Sequence, residues 1–391
     1  MDERVQFIAD YLAGAFTLAE LCRRYGISRP TGYELIRRYE AEGASGLAAR
    51  SRRPHTHPQA TAAELVQAIV AARRKHPTWG PVTIVNRLRL EAPDRPWPAP
   101  STAGAMLKAH GLIGARRRRP SAVISRRPTT AMDVPNAVWT IDFKGQFRTR
   151  DSAWCYPLTV MDGCSRYLLA CQGLAAPRTA PTRAVLERVF GEYGLPTRIR
   201  SDNGVPFAGP TTVARLSRLS VWWIRLGIVP ELIQPGCPAQ NGRHERMHRT
   251  LKRQTTRPPA ANRAAQQRRF GAFRREYNDE RPHAALNALT PAMVYVPSAR
   301  ELPVRVPPVT YPGHFDVRQV MSNGCMKWRN HVVSVSDVLV GEPVGLEEID
   351  DGQWAVYFGP VRLGTVDERD GRIHPHGRFP DARSPALAGS R

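Results

Sequence analysis

VWTIDF, residues 138–143, reads as a β-strand with Trp139, Ile141 and Phe143 on one face and Thr140 and Asp142 on the other. Asp142 therefore sits on the minority polar face of an otherwise apolar strand. Residues 154–160 and 167–171 are further strand candidates, the first reached through a hairpin-like polar stretch at 144–152. Residues 181–193 then place Val185, Leu186 and Val189 at helical spacing, with Gly194 as the stop. A short strand at 197–200 runs into Ser201-Asp202-Asn203-Gly204, where Gly204 lets the backbone bend. Residues 216–226 read as a helix and 228–232 as a last short edge. Antiparallel strands first, then helix and strand in alternation, predict a mixed sheet with helices on both faces.

Downstream lies PGCPAQNGRHERMHRTLK, residues 235–252. Its breakers, Pro235, Gly236, Pro238 and Asn241-Gly242, predict a loop, and Arg243 onward predicts a helix. On a 3.6-residue period Glu245, Arg249 and Lys252 share a face with His248 beside them, while Met247 and Leu251 form the apolar stripe. A carboxylate one turn into a helix, with cations running away from it, suits a site that holds a metal ion and a phosphate backbone together. The plain alternative is a solvated face with an ordinary ion pair.

Asp142 on a strand, Asp202 just past a strand end and Glu245 on a helix can converge at one sheet edge. Three carboxylates without a His or Cys ligand favour a hard cation, Mg2+ or Mn2+, and two such ions can assist both oxygens of a phosphoryl transfer. Asp151 and Asp162 also lie near core strands; Asp162, at a strand end before Gly163, reads as a turn contact rather than a group supporting the site from behind. His244 and His248 flank Glu245 and read as helix packing or phosphate contacts rather than ligands. Trp222-Trp223 reads as core rather than a base-stacking platform.

The flanking segments fit a polyanion partner. The chain has 391 residues and a net charge of +23, 57 Lys+Arg against 34 Asp+Glu, which points to nucleic acid before an anionic membrane. No run is long enough for a transmembrane helix, the N-terminus is charged rather than signal-like, and a cytoplasmic, nucleoid-associated protein is expected. Six scattered cysteines with no Cys-x-x-Cys pair indicate neither zinc nor a disulfide framework, and His55 and His57 read as linker residues.

Residues 1–50 read as a helix-turn-helix domain whose last helix, capped by Ser28, presents Arg29, Thr31, Arg37 and Arg38 outward. Gly32 within that helix departs from the pattern. Residues 59–114 read as a second helical DNA-binding domain opened by a capping box, Thr61 to Glu64. Residues 115–134 are a basic linker, 135–297 the core, and 297–312 a Pro-rich linker. Closely spaced short strands over 313–372 suggest a small β-barrel, and 373–391 a disordered tail.

The motifs VWTIDF, IRSDNG and NGRHERMHRTLK resemble the catalytic core shared by retroviral integrases and bacterial insertion-sequence transposases. The resemblance continues through Trp222-Trp223-Ile224, PGCPAQNG, AAQQRRF and EYNDERPH. It implies all-α helix-turn-helix modules, an α/β ribonuclease-H-like core with a mixed five-stranded sheet, and a terminal small β-barrel. Carried over by position, Asp142, Asp202 and Glu245 are the catalytic metal ligands for two Mg2+ or Mn2+ ions, and Lys252 contacts the DNA end. The interval from Asp202 to Glu245 is longer than the family's commonest, with the extra residues around 208–219. The implied activity is a DNA transposase that binds terminal inverted repeats, cuts the element ends and joins their 3′-hydroxyls to target DNA. A homodimer or larger synaptic assembly on double-stranded DNA is expected, and no membrane partner. A non-catalytic DNA-binding regulator and a ribonuclease-H-type nuclease are the alternatives.

Overall fold

The computed structural model describes residues 3–49, 60–114 and 130–375. The chain divides into two compact units, Met1–Thr61 and Ala62–Arg391. In the first, α1 (Glu3–Leu12), α2 (Leu18–Arg24) and α3 (Arg29–Glu42) close on Phe7, Ile8, Leu21, Cys22, Leu35 and Ile36. The Thr17 hydroxyl accepts from the Glu20 N–H while Glu20 reaches back to the Thr17 N–H, and Ser28 caps α3 through the Thr31 N–H. Gly32, the apparent departure, is buried where α3 meets α2. A Cβ there would come within 2.7 Å of the Cys22 Sγ and 3.3 Å of Phe7, so only glycine allows this approach.

The second unit opens with α4 (Ala63–Lys75), α5 (Pro81–Glu91) and α6 (Pro100–Ala109) around Ile69, Trp79, Ile84, Val85 and Leu107. Pro81 and Pro100 stand in first helical turns, where the missing N–H costs nothing. The expected capping box does not form: Ala62 is the N-cap of α4 and offers no side-chain oxygen. These helices are tied to the core, since the Trp79 indole N–H donates to Glu276 at 2.8 Å and Arg87 to the Glu280 carbonyl at 3.3 Å. His55 and His57, read as linker residues, and residues 115–129 of the expected basic linker at 115–134 lie outside the described residues. Within 130–134, Met132 is buried and the Thr130 carbonyl accepts from Arg200.

The sheet comprises β1 (Val138–Phe143), β2 (Phe147–Arg148), β3 (Trp154–Asp162), β4 (Leu168–Leu174), β5 (Arg198–Ser201) and β6 (Val229–Leu232). Its five main strands run β4-β3-β1-β5-β6, with β5 and β6 parallel to β1 and the first three antiparallel, the mixed sheet of a ribonuclease-H-like core. β2 adds a sixth, two-residue strand paired antiparallel with β3, within the hairpin-like polar stretch at 144–152. α7 (Thr179–Tyr193) and α8 (Arg218–Arg225) pack with Trp139, Ile141, Leu158 and Val160, and Trp222 and Trp223 are core. α9 (Gly242–Thr255) and α10 (Arg263–Arg275) pack with Cys155, Met161, Leu168 and Cys171. Separate clusters sharing strands β3 and β4 place the two helix pairs on opposite faces.

A π-helical turn, Glu276–Glu280, extends α10, and α11 (Pro291–Val294) follows. The C-terminal strands are β7 (Asp316–Gln319), β8 (Cys325–Trp328), β9 (His331–Ser334), β10 (Pro343–Asp350), β11 (Gln353–Phe358), β12 (Val361–Asp367) and β13 (Ile373–Pro375). They do not close the expected barrel. β13-β12-β11-β10-β7 is an open sheet and β8-β9 a separate hairpin. The reason lies in what covers the apolar face: Leu216, Val221 and Ile224, from the core, share one cluster with Val320, Trp328, Val356 and Phe358. With that face covered from outside, the sheet has no need to curl on itself. The residues lengthening the Asp202–Glu245 interval supply part of this cover, through a short 3-10 turn, Val213–Arg215, and Leu216. The expected disordered tail is also corrected at its start, because residues 373–375 pair with Gly364–Val366 of β12 through backbone hydrogen bonds that no apolar pattern announces. Residues 376–391 lie outside the described residues.

Candidate active site and nucleic-acid contacts

Asp142 lies near the end of β1 opposite Thr159 of β3, its side chain 20% exposed. On the other side Ile141 pairs with Ser201, so Asp202, the next residue after β5, lies beside Asp142 across adjacent parallel strands. The Asp202 Oδ1 accepts the Gly204 N–H at 3.1 Å, a turn that holds the carboxylate at the strand end. Glu245 is exposed in the first turn of α9. Burial pushes the Asp142 carboxyl up to about 7, and the negative charges of Asp202 and, more weakly, Glu245 add to it. The Phe143 N–H and the Lys144 charge act in the opposite sense. The three sequence-selected carboxylates therefore share one electrostatic neighbourhood.

α9 is held to the sheet by two histidines. His244 Nδ1 lies 2.7 Å from the Thr140 hydroxyl and its Nε2 2.7 Å from that of Thr159. His248 Nε2 also lies 2.7 Å from Thr159, and its Nδ1 is 3.5 Å from Asp142. Burial pushes His244 down to about 3 and His248 down to about 2, so both are neutral near pH 7. Asp142, His244 and His248 bring potential ligand atoms within 4.8 Å of one another. Yet both His244 nitrogens are engaged by threonines, so this ring has no spare lone pair for a metal. His248, next to the exposed Glu245–Arg249–Lys252 row, is itself buried with Met247 and Leu251. The signal was present, since His244 and His248 stand four apart and bracket Met247 on the apolar stripe.

The other acids make turns. Asp162 accepts from the Asn136 N–H and from the N–H and hydroxyl of Ser165, and Asp151 accepts from Thr149 and the Ala153 N–H. Arg249 and Lys252 are exposed on α9. In the first unit Arg29 and Arg37 are exposed, Arg37 2.5 Å from Glu34. Arg38 is different: half-buried, it donates to the Ala48 carbonyl at 2.6 Å and ties the end of the unit rather than facing outward. Among the described residues no helix is long and apolar enough to cross a membrane.

Residues 133–238 and 226–291 match integrase core domain families. Residues 3–55 match a helix-turn-helix domain, 31–107 a homeodomain-like domain, and 315–374 the C-terminal domain of IS481 family transposases. The chain is 29% identical over 182 residues to a 31.7 kDa protein of insertion element IS407 from Burkholderia multivorans, covering 45% of this chain and 61% of that one. It is 28% identical over 178 residues to a 39.2 kDa protein of insertion element IS476 from Xanthomonas euvesicatoria, covering 45% and 49%. The chain thus spans about half to three-fifths of the length of these curated relatives. Among solved structures, a chain of the simian T-cell lymphotropic virus intasome in complex with a PP2A regulatory subunit is similar at TM-score 0.37 and 15% identity, covering 73% of this chain and 91% of that one. In its matched domains and its relatives, the chain is similar to the insertion-sequence transposases that carry an integrase-type core.

Proposed function

We propose that the protein is a DNA transposase that binds the inverted repeats at the ends of its element, cuts there and joins the freed 3′-hydroxyls to target DNA. The observation that supports this reading is Asp142 beside Asp202 on adjacent parallel strands, with the Asp142 carboxyl pushed up to about 7 by burial, by the Asp202 charge and, more weakly, by that of Glu245. Carboxylates held together against their own repulsion make a fitting donor set for a hard divalent cation. Asp142, Asp202 and Glu245 would hold Mg2+ or Mn2+, two ions in this reading, and the bound cations would supply Lewis-acid stabilisation of phosphate charge.

The chain's own residues do the rest. The strand pair β1 and β5 holds Asp142 and Asp202 rigidly, and the His244 and His248 clamps keep α9, and with it Glu245, against the same edge. Arg249 and Lys252 lie along the phosphates next to the carboxylates. Arg29 and Arg37 of the first unit, with the helices of 63–109, bind the duplex ends, phosphates fixing position and a few base contacts fixing sequence. Two ends must be held at once, so the working form is a homodimer or larger assembly on DNA in the cytoplasm.

The test compares wild type with Glu245→Gln on labelled duplexes ending in the element's flanking repeats, with Mg2+ or with EDTA. Both proteins should bind, and only the wild type with Mg2+ should cut and then join a precut end to unlabelled target. Binding by both with cutting by neither would favour a DNA-binding regulator, and cutting without joining a nuclease.

A further inference from the structure

Beside the carboxylate edge, and not part of it, lies a cavity of about 440 Å³ whose charged lining is entirely basic. Arg166 enters from the β3–β4 turn, Arg243 and Arg246 from α9, and Arg281 from the end of the π-helical turn, while Thr83 of α5 closes the rim. No carboxylate lines it among the described residues. The acids nearby make their hydrogen bonds elsewhere, Asp162 with Asn136 and Ser165 and Glu276 with Trp79 and Gln254, so that Glu276 favours the Arg281 cation only through its charge. The Arg281 Nη1, the Arg166 Nε and the neighbouring His283 Nε2 are buried with no hydrogen-bond partner. Burial, together with the charges of Arg243 and Arg246, pulls Arg166 down to about 10, and Arg166 also holds a left-handed backbone (φ 65°) unusual for a residue with a side chain. Gly242, first residue of α9, lines the same cavity, and Asn241 ahead of it makes no side-chain cap bond, so the positive end of a 14-residue helix adds to the field. Uncompensated buried guanidinium donors are costly in a finished fold, and an anion removes that cost.

We propose that this cavity binds a backbone phosphate of duplex DNA, gripping the strand on the side of α9 away from Glu245. The assignment of the anion to DNA rests on the transposase reading; the need for an anion does not. On α9, Arg243, Arg246 and Thr250 face the cavity at helical spacing, Glu245, Arg249 and Lys252 form a second exposed row, and His244, Met247, His248 and Leu251 point inward. The two outer rows are separated by roughly the width of one helix, ~10 Å, a distance that about three nucleotides cover at 3.4 Å each. One strand can therefore touch both, and the phosphate in the cavity sets which bond lies at the carboxylates. Because Thr83 belongs to α5, the same phosphate also bridges the α4–α6 helices and the core.

The experiment uses the full chain in EDTA, so that no cutting occurs, and a short labelled duplex titrated at several salt concentrations. Exposed Arg246→Gln should weaken binding and make the slope of log affinity against log salt shallower by about one. Arg268→Gln, which removes the same charge from an exposed position on α10, should leave the slope unchanged. Equal effects of the two variants, or none from Arg246→Gln, would overturn the proposal. Arg281→Gln guards against misfolding as an explanation: its thermal midpoint without DNA should be no lower than wild type, and its stabilisation by duplex should shrink. A fall in the free protein's midpoint would make the arginine structural and sink the idea. Stabilisation by inorganic phosphate that is lost in Arg281→Gln, with duplex binding intact, would reject DNA as the source. Failure of the wild type to cut with Mg2+ would count against the transposase reading and leave these results standing.

Discussion

Asp142 carries a conflict that can be measured without any substrate. Its carboxyl is pushed from the ordinary 3.8 up to about 7, so the folded protein holds that proton more tightly than the unfolded chain. Stability is therefore highest at low pH as far as this group is concerned, and is lost as pH rises from about 4 through about 7. In EDTA at pH 8, Asp142→Asn is expected to stabilise the protein by on the order of 2 kcal/mol, one pKa unit being worth ~1.4 kcal/mol. The gain should shrink as the pH is lowered toward 5. Denaturant melts of both proteins across that range check it, and an Asn variant less stable at every pH would mean that the carboxylate is a structural acceptor. Mg2+ should stabilise the wild type and not the variant, since only a cation bound to the folded state shifts the equilibrium.

Among elements, α3 shows how one small residue sets a packing distance. Gly32 is the position where α3 lies against Cys22 of α2 and Phe7 of α1, and a methyl there has no room beside the Cys22 sulfur. Gly32→Ala gains helix propensity, ~1 kcal/mol, but must push α3 outward at a cost of roughly 1–3 kcal/mol. A net loss is expected, read as a lower thermal midpoint of the first unit; a gain would show that α3 shifts freely. α9 is the contrasting case. It carries three rows of side chains, and the buried one is polar at both histidines. Hydrophobic periodicity counts Met247 and Leu251 and passes over His244 and His248, because a histidine is buried only where partners such as Thr140 and Thr159 await it.

At the scale of the molecule, the C-terminal sheet and the core are one packed body. Ile224 of α8 lies in the cluster of the C-terminal strands, and a Cβ at Gly359 would come within 2.7 Å of it, so the β11–β12 turn meets the helix closely. Ile224→Asp places a charge in that seam and is expected to cost on the order of 3 kcal/mol. Limited proteolysis should then cut within residues 297–312 while the core fragment stays resistant. Uniform digestion of the whole chain would instead mean that the sheet does not dock as a separable layer.

Local pattern was enough for much of this protein. Alternation in residues 138–143 placed Asp142 on a polar strand face, Gly204 marked the turn after Asp202, and the breakers before Arg243 marked where α9 begins, because each of these signals is carried by the backbone preferences of neighbouring residues. The charge balance pointed to a polyanion for the same reason: it is a property of composition. What depended on tertiary structure were the features whose partners lie far apart in the chain. The threonines under His244 and His248, the open sheet closed by Leu216 and Ile224 instead of by its own strands, the backbone-paired strand at 373–375 and the convergence of Arg166, Arg243, Arg246 and Arg281 all join residues that no local period links. Burial, and the cost of leaving a buried group without a partner, is decided only when those distant segments meet.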